Sequence, residues 1–300
     1  MAADAARHQG AESKAVDRNC RHGSDESRAR VREAGVSWLN AVHFGDCAPL
    51  MRQMIADGVR VEMALTSPPY DDLRTYGGHA WSFEATAHAL FDILCDGGVL
   101  CWNVGDSTKD GSETLTSARQ AIYFKDVVGF RVHDTMIYEK VNFGHPEKVR
   151  YHQLFEYVFV LSKGAPRCFN PIKDKPNACA GTGTVGRNTV READGSMGER
   201  KRNIIAEFGM RGNVWRGLTA GQEDMGRGVV HPAMMPRWLA RDLIVSWSNP
   251  GDTVLDPFAG SGTTCAAAQD LGRQWIGLEI NREYADAQRA RIDPQIGLAV

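Results

Sequence analysis

The sequence predicts an α/β fold with a mostly parallel β-sheet and helices on both of its faces. Two observations support this prediction. Short apolar runs end in turns of proline or glycine, and the segments that follow them have the apolar spacing of helices. Val61–Leu65 is one such run and ends at Pro68 and Pro69, and Thr253–Leu255 is another and ends in a glycine-containing turn. The resulting alternation of strand and helix is typical of βαβ units.

The elements of the first half follow from local patterns. Ordered structure is predicted to begin at Trp38–Phe44, after a polar segment. Apolar residues from Phe83 to Leu94 have helical spacing, and the Gly97–Gly98 pair ends that helix. A helix is predicted over Leu50–Ala56. Strands over Val61–Leu65 and Val99–Val104 precede and follow the helix that begins at Phe83. Two more strands are predicted over Thr135–Tyr138 and Glu156–Leu161.

The pattern changes between Gly164 and Gly228, where Gly, Asn, Arg and Pro dominate and no period persists. A stretch of this length without regular structure is usually functional or a separate module. Regular patterns resume at His231-Pro232. They predict a helix through Trp238 and Trp247, a strand over Thr253–Leu255, a helix over Thr263–Leu271, a strand over Trp275–Leu278 and a helix over Arg282–Arg291.

Composition limits the classes of function. The 300 residues carry a formal charge of −2, yet residues 163–227 hold 12 Lys and Arg against 7 Asp and Glu. That segment therefore carries +5 and the remainder −7. A basic segment on an acidic body is expected where one part of a chain binds phosphate, and a solvated loop is the alternative that charge leaves open.

Membrane and metal sites are not predicted. No apolar run reaches the roughly 18 residues of a membrane span, and residues 1–32 lack the apolar segment of a signal peptide. The seven cysteines have no Cys-x-x-Cys spacing, which argues against zinc. An odd, unpatterned cysteine count is typical of the reducing cytoplasm, which is the predicted location.

Residues 256–264 (DPFAGSGTT) combine a strand end, a turn of small residues and a helix start. Gly260 and Gly262 allow the backbone to approach a ligand closely, and the first N–H groups of the helix attract a carboxylate. Glu279 ends the next strand, where α/β nucleotide-binding folds place an acidic group on ribose hydroxyls. A P-loop needs lysine after its glycine, but Thr263 stands there, so phosphate binding is not predicted. A tight turn without a ligand is the alternative.

Residues 67–70 (SPPY) follow the strand Val61–Leu65. An exocyclic amine of a base is a poor nucleophile because its lone pair is conjugated with the ring. The Ser67 hydroxyl and the Pro68 carbonyl are two acceptors that can hold the amine hydrogens and align the nitrogen with an electrophilic methyl group. The prolines leave that carbonyl free of a sheet partner, and Tyr70 can stack on a base drawn out of the duplex. A structural proline turn is the alternative.

Together the two motifs resemble those of the DNA amino-methyltransferases, which act on cytosine N4 or adenine N6. The catalytic motif precedes the cofactor motif, as in the β class, and the resemblance covers Leu39–Ile292. It implies a Rossmann-like, mixed seven-stranded methyltransferase sheet with helices on both faces, plus a loop-rich target-recognition region. It divides the chain into a flexible tail (1–35), a catalytic half (36–163), the recognition region (164–228) and a cofactor-binding half (229–300).

The resemblance also implies a cofactor, partners and residue roles. S-adenosylmethionine is the implied cofactor and double-stranded DNA the implied partner, and a homodimer and a cognate restriction endonuclease are partners that the family allows. Arg74, Thr75 and Tyr76 continue the catalytic loop toward the flipped base or its phosphates. The implied catalytic residues are Ser67, Pro68, Pro69 and Tyr70, and the implied cofactor-binding residues are Asp46, His231, Asp256, Pro257, Phe258, Gly260, Gly262, Thr263 and Glu279.

The target base and the class of substrate have alternatives. Serine before Pro-Pro-Tyr is typical of cytosine-N4 enzymes, so cytosine is predicted and adenine N6 is the alternative. A carbon-5 cytosine enzyme needs a Pro-Cys nucleophile, and no cysteine here follows a proline. Methyltransferases of RNA or of protein glutamine often present Asn-Pro-Pro-Tyr and place the cofactor motif first. This chain does neither, so these substrates are disfavoured. A catalytically silent nucleic-acid-binding protein on the same scaffold is disfavoured because both motifs are intact.

Overall fold

The computed structural model describes residues 37–69, 81–142, 148–183, 189–191, 196–199, 203–220 and 234–292. Several predictions lie outside these residues: the flexible tail, Tyr70, the loop residues Arg74 to Tyr76, and His231.

In the described residues, the main sheet and three two-stranded sheets are built from the following strands: β1 (Ala41–Phe44), β2 (Val61–Thr66), β3 (Leu94–Val104), β4 (Thr108–Lys109), β5 (Ser112–Glu113), β6 (Arg131–Lys140), β7 (Phe155–Ser162), β8 (Lys175–Pro176), β9 (Thr189–Arg191), β10 (Met197–Glu199), β11 (Phe208–Gly209), β12 (Val214–Gly217), β13 (Thr253–Asp256) and β14 (Gln274–Glu279). The helices are α1 (Cys47–Ala56), α2 (Phe83–Ile93), α3 (Thr116–Tyr123, continued by a π-helical turn over Phe124–Val128), α4 (Arg237–Trp247), α5 (Thr263–Asp270) and α6 (Arg282–Ile292).

The main sheet has the order β1-β14-β13-β2-β3-β7-β6-β12. Its neighbours are parallel except at β7, which runs antiparallel to both β3 and β6. The first seven strands in this order form the mixed seven-stranded sheet that the sequence resemblance implies. An eighth strand, β12, pairs with β6 in parallel and comes from within the range 164–228.

The eighth strand was not predicted, and its burial explains why. β12 lies at an edge of the sheet, and of its four residues only Trp215 is buried. The sequence therefore shows no apolar run there, and part of the predicted recognition region is built into the main sheet.

β3 also differs from the prediction, because it begins at Leu94 and not at Val99. The sheet register with β2 shifts at this point, and Gly97 adopts φ +76°. A Cβ on Gly97 would lie 2.9 Å from the carbonyl oxygen of Ala165. The glycine therefore allows an irregular strand start that packs against the chain leaving β7.

Helices cover both faces of the sheet, as predicted. The apolar sides of α4, α5 and α6 form one core with residues such as Met63 and Leu65, whereas α1 and α2 pack on the other face around Ala64. Successive strand side chains point to opposite faces, which is why neighbouring residues of β2 belong to different cores.

The two central strands determine where a ligand can bind. From β13 the chain passes through α5 to β14 on one side, and from β2 it passes through α2 to β3 on the other. The connections thus diverge between β13 and β2, which are adjacent and parallel. In open α/β sheets, ligands bind outside the carboxyl ends of the strands at such a switch point.

Candidate active site

A cleft lies at the carboxyl ends of β13 and β2, with an empty volume of about 950 Å³ that includes open solvent at its mouth. Of the predicted site residues, those that line the cleft are Asp46, Ser67, Pro69, Asp256, Pro257, Phe258, Gly260, Thr263 and Glu279. Pro68 and Gly262 are buried next to the lining residues.

Asp256, the last residue of β13, is buried and fixes the geometry of the loop after it. Its Oδ1 accepts hydrogen bonds from the Thr66 hydroxyl at 2.7 Å and from the Phe258 N–H at 3.0 Å. Burial raises the pKa of this carboxyl to about 6, although the hydrogen bonds from Thr66 and Thr264 oppose the shift. The Thr66 bond joins the ends of β2 and β13, so the loops after these two strands share one anchor.

Glu279, the last residue of β14, is 8% exposed and binds backbone N–H groups with both carboxylate oxygens. Oε2 accepts from Gly260 at 2.7 Å, and Oε1 accepts from Asn281 at 2.8 Å. The carboxylate therefore holds the loops after β13 and β14 together. Each carboxylate oxygen has two lone pairs, so such a group can accept more than one hydrogen bond at a time.

The loop after β13 ends where α5 begins. Gly262 is the N-cap residue, with φ +78° and no side-chain hydrogen bond to the helix. A Cβ at this position would lie 2.4 Å from Cγ of Gln288, so only glycine fits. The first N–H groups of an α-helix lack intrahelical partners, and with no side-chain cap here they can bind an anion.

Asp46 lines the cleft beside the end of β14. The pairing of β1 with β14 places Phe44 beside Glu279, and the Gly45 N–H donates to the Glu279 carbonyl at 2.9 Å. Asp46 is exposed, and its Oδ1 caps α1 by accepting from the Ala48 N–H at 3.1 Å. Asp46, a predicted cofactor-binding residue, is thus also the residue that begins a helix.

Ser67 and Pro69 line the cleft directly after β2. Ser67 is half-buried and Pro68 is buried, so the loop is rigid where it meets the cleft. Thr66, the residue before Ser67, is the one that bonds to Asp256. The candidate catalytic loop is therefore positioned against the candidate cofactor loop.

Sequence reasoning missed several residues of the cleft. Thr66 was not singled out, because its partner Asp256 is distant in sequence. Trp81, Met234 and Met235 also line the cleft. Trp81 could have been singled out from the sequence, because it is a large aromatic residue directly before Ser82, the N-cap of α2.

Two other kinds of chemistry find little support in the cleft. Cys47 lines it, but burial raises the pKa of this thiol to about 12, so it is protonated and a poor nucleophile. Within the described residues, no group of three His, Cys, Asp or Glu side chains can hold a metal ion. In the same part of the chain, no helix is long and apolar enough to cross a membrane.

Comparison with known proteins agrees with this architecture. The sequence profile of the DNA methylase family matches residues 61–290. The chain is 45% identical over 245 residues to the orphan methyltransferase M.BamHII of Bacillus amyloliquefaciens, covering 81% of this chain and 92% of that one. It is 26% identical over 262 residues to the DNA adenine methyltransferase YhdJ of Escherichia coli (strain K12), covering 83% and 81% of the two chains.

Solved structures share the fold at lower identity. The complex of M1.HpyAVI with S-adenosylmethionine has a TM-score of 0.56 and 21% identity, covering 84% of this chain and 98% of that one. The cytosine-N4-specific PvuII DNA methyltransferase has a TM-score of 0.58 and 19% identity, covering 84% and 86%. Given the match over most of its length, the chain belongs to the DNA methylase family of N6 and N4 methyltransferases.

Proposed function

We propose that this DNA methyltransferase transfers a methyl group from S-adenosylmethionine to N4 of cytosine in double-stranded DNA. The observation that carries the proposal is that Ser67 lines the same cleft as Asp256, Gly260 and Glu279. An acceptor for an amine and a site for a nucleoside cofactor therefore face one space, as group transfer requires.

The residues of the cleft fit S-adenosylmethionine. Glu279 can accept the ribose hydroxyls, the uncapped N-terminus of α5 can bind the methionine carboxylate, and Asp46 can accept from the adenine amine. When bound, this cofactor supplies a methyl group on a positively charged sulfur. Glu279 and Asp256 hold the loop that binds it, because their carboxylates accept from the Gly260 and Phe258 N–H groups.

On the base side, Ser67 and Pro68 orient the amine. The serine hydroxyl and the proline carbonyl accept the two hydrogens and direct the nitrogen lone pair toward the methyl group. The 2.7 Å bond between Thr66 and Asp256 sets the distance between this pair of acceptors and the cofactor loop. Such fixed geometry matters because a small displacement of reacting groups lowers the rate strongly.

Cytosine is favoured by the serine. The adenine-N6 enzymes of the family usually have Asp or Asn at the position of Ser67. An aspartate there would be a stronger acceptor and would draw more electron density onto the amine nitrogen. Serine is neutral and shorter, which alters the reach of the loop. Adenine N6 is the second candidate, and the similarity to YhdJ, a DNA adenine methyltransferase, favours it.

We further propose that residues 164–228 read the DNA sequence, because this range carries the net positive charge. Its described part is anchored to the methyltransferase domain by Arg211. This guanidinium pairs with Asp174 and, at 2.7 Å, with Asp242 of α4, and it lies 4.8 Å over the Trp215 ring. A firm anchor lets exposed side chains of the region hold a constant position relative to the cleft.

The direct test is transfer of labelled methyl from S-adenosylmethionine to duplex DNA, with RNA of the same sequence in parallel. We expect label in the DNA and none in the RNA. Label in the RNA alone would contradict the proposal, and so would equal label with wild-type protein and with Ser67→Ala.

A further inference from the structure

Trp81 is a large aromatic side chain of the cleft wall that has no role in the proposed function. It follows the catalytic loop, directly precedes the Ser82 N-cap of α2, and is half-buried with part of its surface in the cleft. Its position is far from the cofactor motif in sequence, yet its ring meets that motif in space.

The ring is held rigidly by other aromatic side chains. It lies edge-on to Phe258, with centroids 4.9 Å apart and an interplanar angle of 75°, and edge-on to Phe83 at 6.1 Å. Trp102 is 6.3 Å away and packs in turn on Phe124, and both of these are fully buried. The cluster fixes the indole before any ligand binds, so little conformational entropy is lost on binding.

The contacts of Trp81 place it where the two functional loops meet. Phe258 belongs to the cofactor loop, and its N–H bonds to Asp256, which bonds to Thr66 beside Ser67. The transferable methyl group has to lie between Ser67 and the cofactor loop for the reaction to occur. Trp81 lines the same cleft and packs on Phe258, so its indole lies at the wall beside which a cofactor held by this loop would place its sulfur.

Charge supplies the second argument. Among the described residues that line the cleft, the charged side chains are Asp46, Asp256 and Glu279, and no Lys, Arg or His is present. The acids at 46 and 279 are assigned to adenine and ribose, and the one at 256 bonds to Thr66 and Phe258. An indole face attracts cations more strongly than any other aromatic side chain, and best where water is excluded.

We infer that Trp81 binds the positively charged sulfonium of S-adenosylmethionine through its indole ring and thereby favours the cofactor over the neutral product, S-adenosylhomocysteine. The inference rests on the proposed function, because it needs this cofactor in this cleft. It adds a specificity residue that acts on charge, since the two compounds differ at the sulfur by a methyl group and a positive charge.

The test is calorimetric binding of S-adenosylmethionine, S-adenosylhomocysteine and sinefungin, which carries an ammonium group in place of the methylated sulfur. We expect Trp81→Leu to weaken binding of the two cationic ligands about tenfold and binding of the neutral product less than about twofold. Trp81→Phe should lie between the wild type and Leu. Phe91→Leu, which removes a ring of α2 that packs on Phe130 and does not line the cleft, should leave the ratio of affinities unchanged.

Equal weakening of cationic and neutral ligands by Trp81→Leu would overturn the inference and assign Trp81 a packing role. Unchanged affinity for all three ligands, with weaker DNA binding, would also overturn it and point to base stacking. If the Leu variant does not fold, Trp81→Met and Trp81→Phe carry the same comparison. Wild-type protein that binds none of the ligands would contradict the proposed function itself.

Discussion

The cofactor side of the cleft and the recognition region are built in opposite ways. On the cofactor side, β13, β14 and α5 lie in the core, and the carboxylates of Asp256 and Glu279 are almost fully buried with backbone partners. In the range 164–220, strands β8 to β11 have only two or three residues each, and Ile204 and Met210 are more than half exposed. One region binds with fixed backbone and buried acids, and the other presents side chains to solvent.

The difference fits the ligand that we propose for each region. A small cofactor of constant structure is bound by backbone N–H groups and buried carboxylates, which leave little freedom. A DNA duplex is contacted over a wide surface by exposed, basic and polar side chains. We therefore expect substitutions in the cleft to change the methylation rate or the affinity for the cofactor. Substitutions in residues 164–228 should change the affinity for DNA.

The largest effect is expected at Ser67. Ser67→Ala removes one of two acceptors that orient the amine, so methylation should fall about 100-fold. Affinity for S-adenosylmethionine, measured by calorimetry, should stay within about twofold, because Asp256 and Glu279 hold the cofactor loop. Near-normal turnover in this variant would remove Ser67 from the mechanism.

Glu279 should have the next largest effect. Glu279→Ala leaves the Gly260 and Asn281 N–H groups without their acceptor and removes the ribose contact, so affinity for S-adenosylmethionine should fall at least about tenfold. Glu279→Gln keeps one acceptor oxygen and should lose less. The control is Glu283→Ala, an exposed acid in the first turn of α6. Equal affinity of the Glu279 and Glu283 variants would contradict the assignment.

The raised pKa of Asp256 predicts that the free energy of unfolding depends on pH. Its pKa of about 6 in the folded protein is above its value when unfolded, so between these values the folded form holds a proton that the unfolded form has lost. Lowering the pH from 8 to 5 should therefore stabilise the wild type relative to Asp256→Asn, by about 1 kcal/mol. Urea unfolding of both proteins at the two pH values measures this. The same pH dependence in both would show that Asp256 does not titrate in this range.

The smallest effect on chemistry is expected in the recognition region. Lys201 and Arg202 lie outside the described residues, and their role is predicted from the charge of the sequence alone. Replacing both by Ala should weaken DNA binding and reduce the slope of log affinity against log salt by up to about 2. Arg119 and Lys125, exposed on and after α3, provide a control pair outside the region. An unaltered slope would move the DNA-binding surface elsewhere.

The same contrast explains what the sequence could predict. The cofactor loop was predictable because its bonds are local, from Asp256 to the Phe258 N–H and from Glu279 to the Asn281 N–H. Its strand, turn and helix are therefore formed by consecutive residues. The mostly parallel sheet with helices on both faces then followed from the βαβ pattern.

The rest depends on contacts between distant segments. The bond from Thr66 to Asp256 and the packing of Trp81 on Phe258 join residues more than 170 positions apart, so no local pattern reports them. β12 escaped prediction because an edge strand with one buried residue looks like a loop. Specific contacts to DNA bases are made by exposed side chains, whose sequence carries no periodic signal.

The central claim is that Ser67 and the cofactor loop direct methyl transfer to an exocyclic amine of cytosine. The most direct measurement is to methylate duplex DNA with the purified protein, digest it to nucleosides and analyse them by mass spectrometry. We expect N4-methylcytosine in DNA treated with wild-type protein and much less of this nucleoside in DNA treated with Ser67→Ala. N6-methyladenine as the methylated nucleoside would contradict the assignment of the base, and 5-methylcytosine would contradict the mechanism.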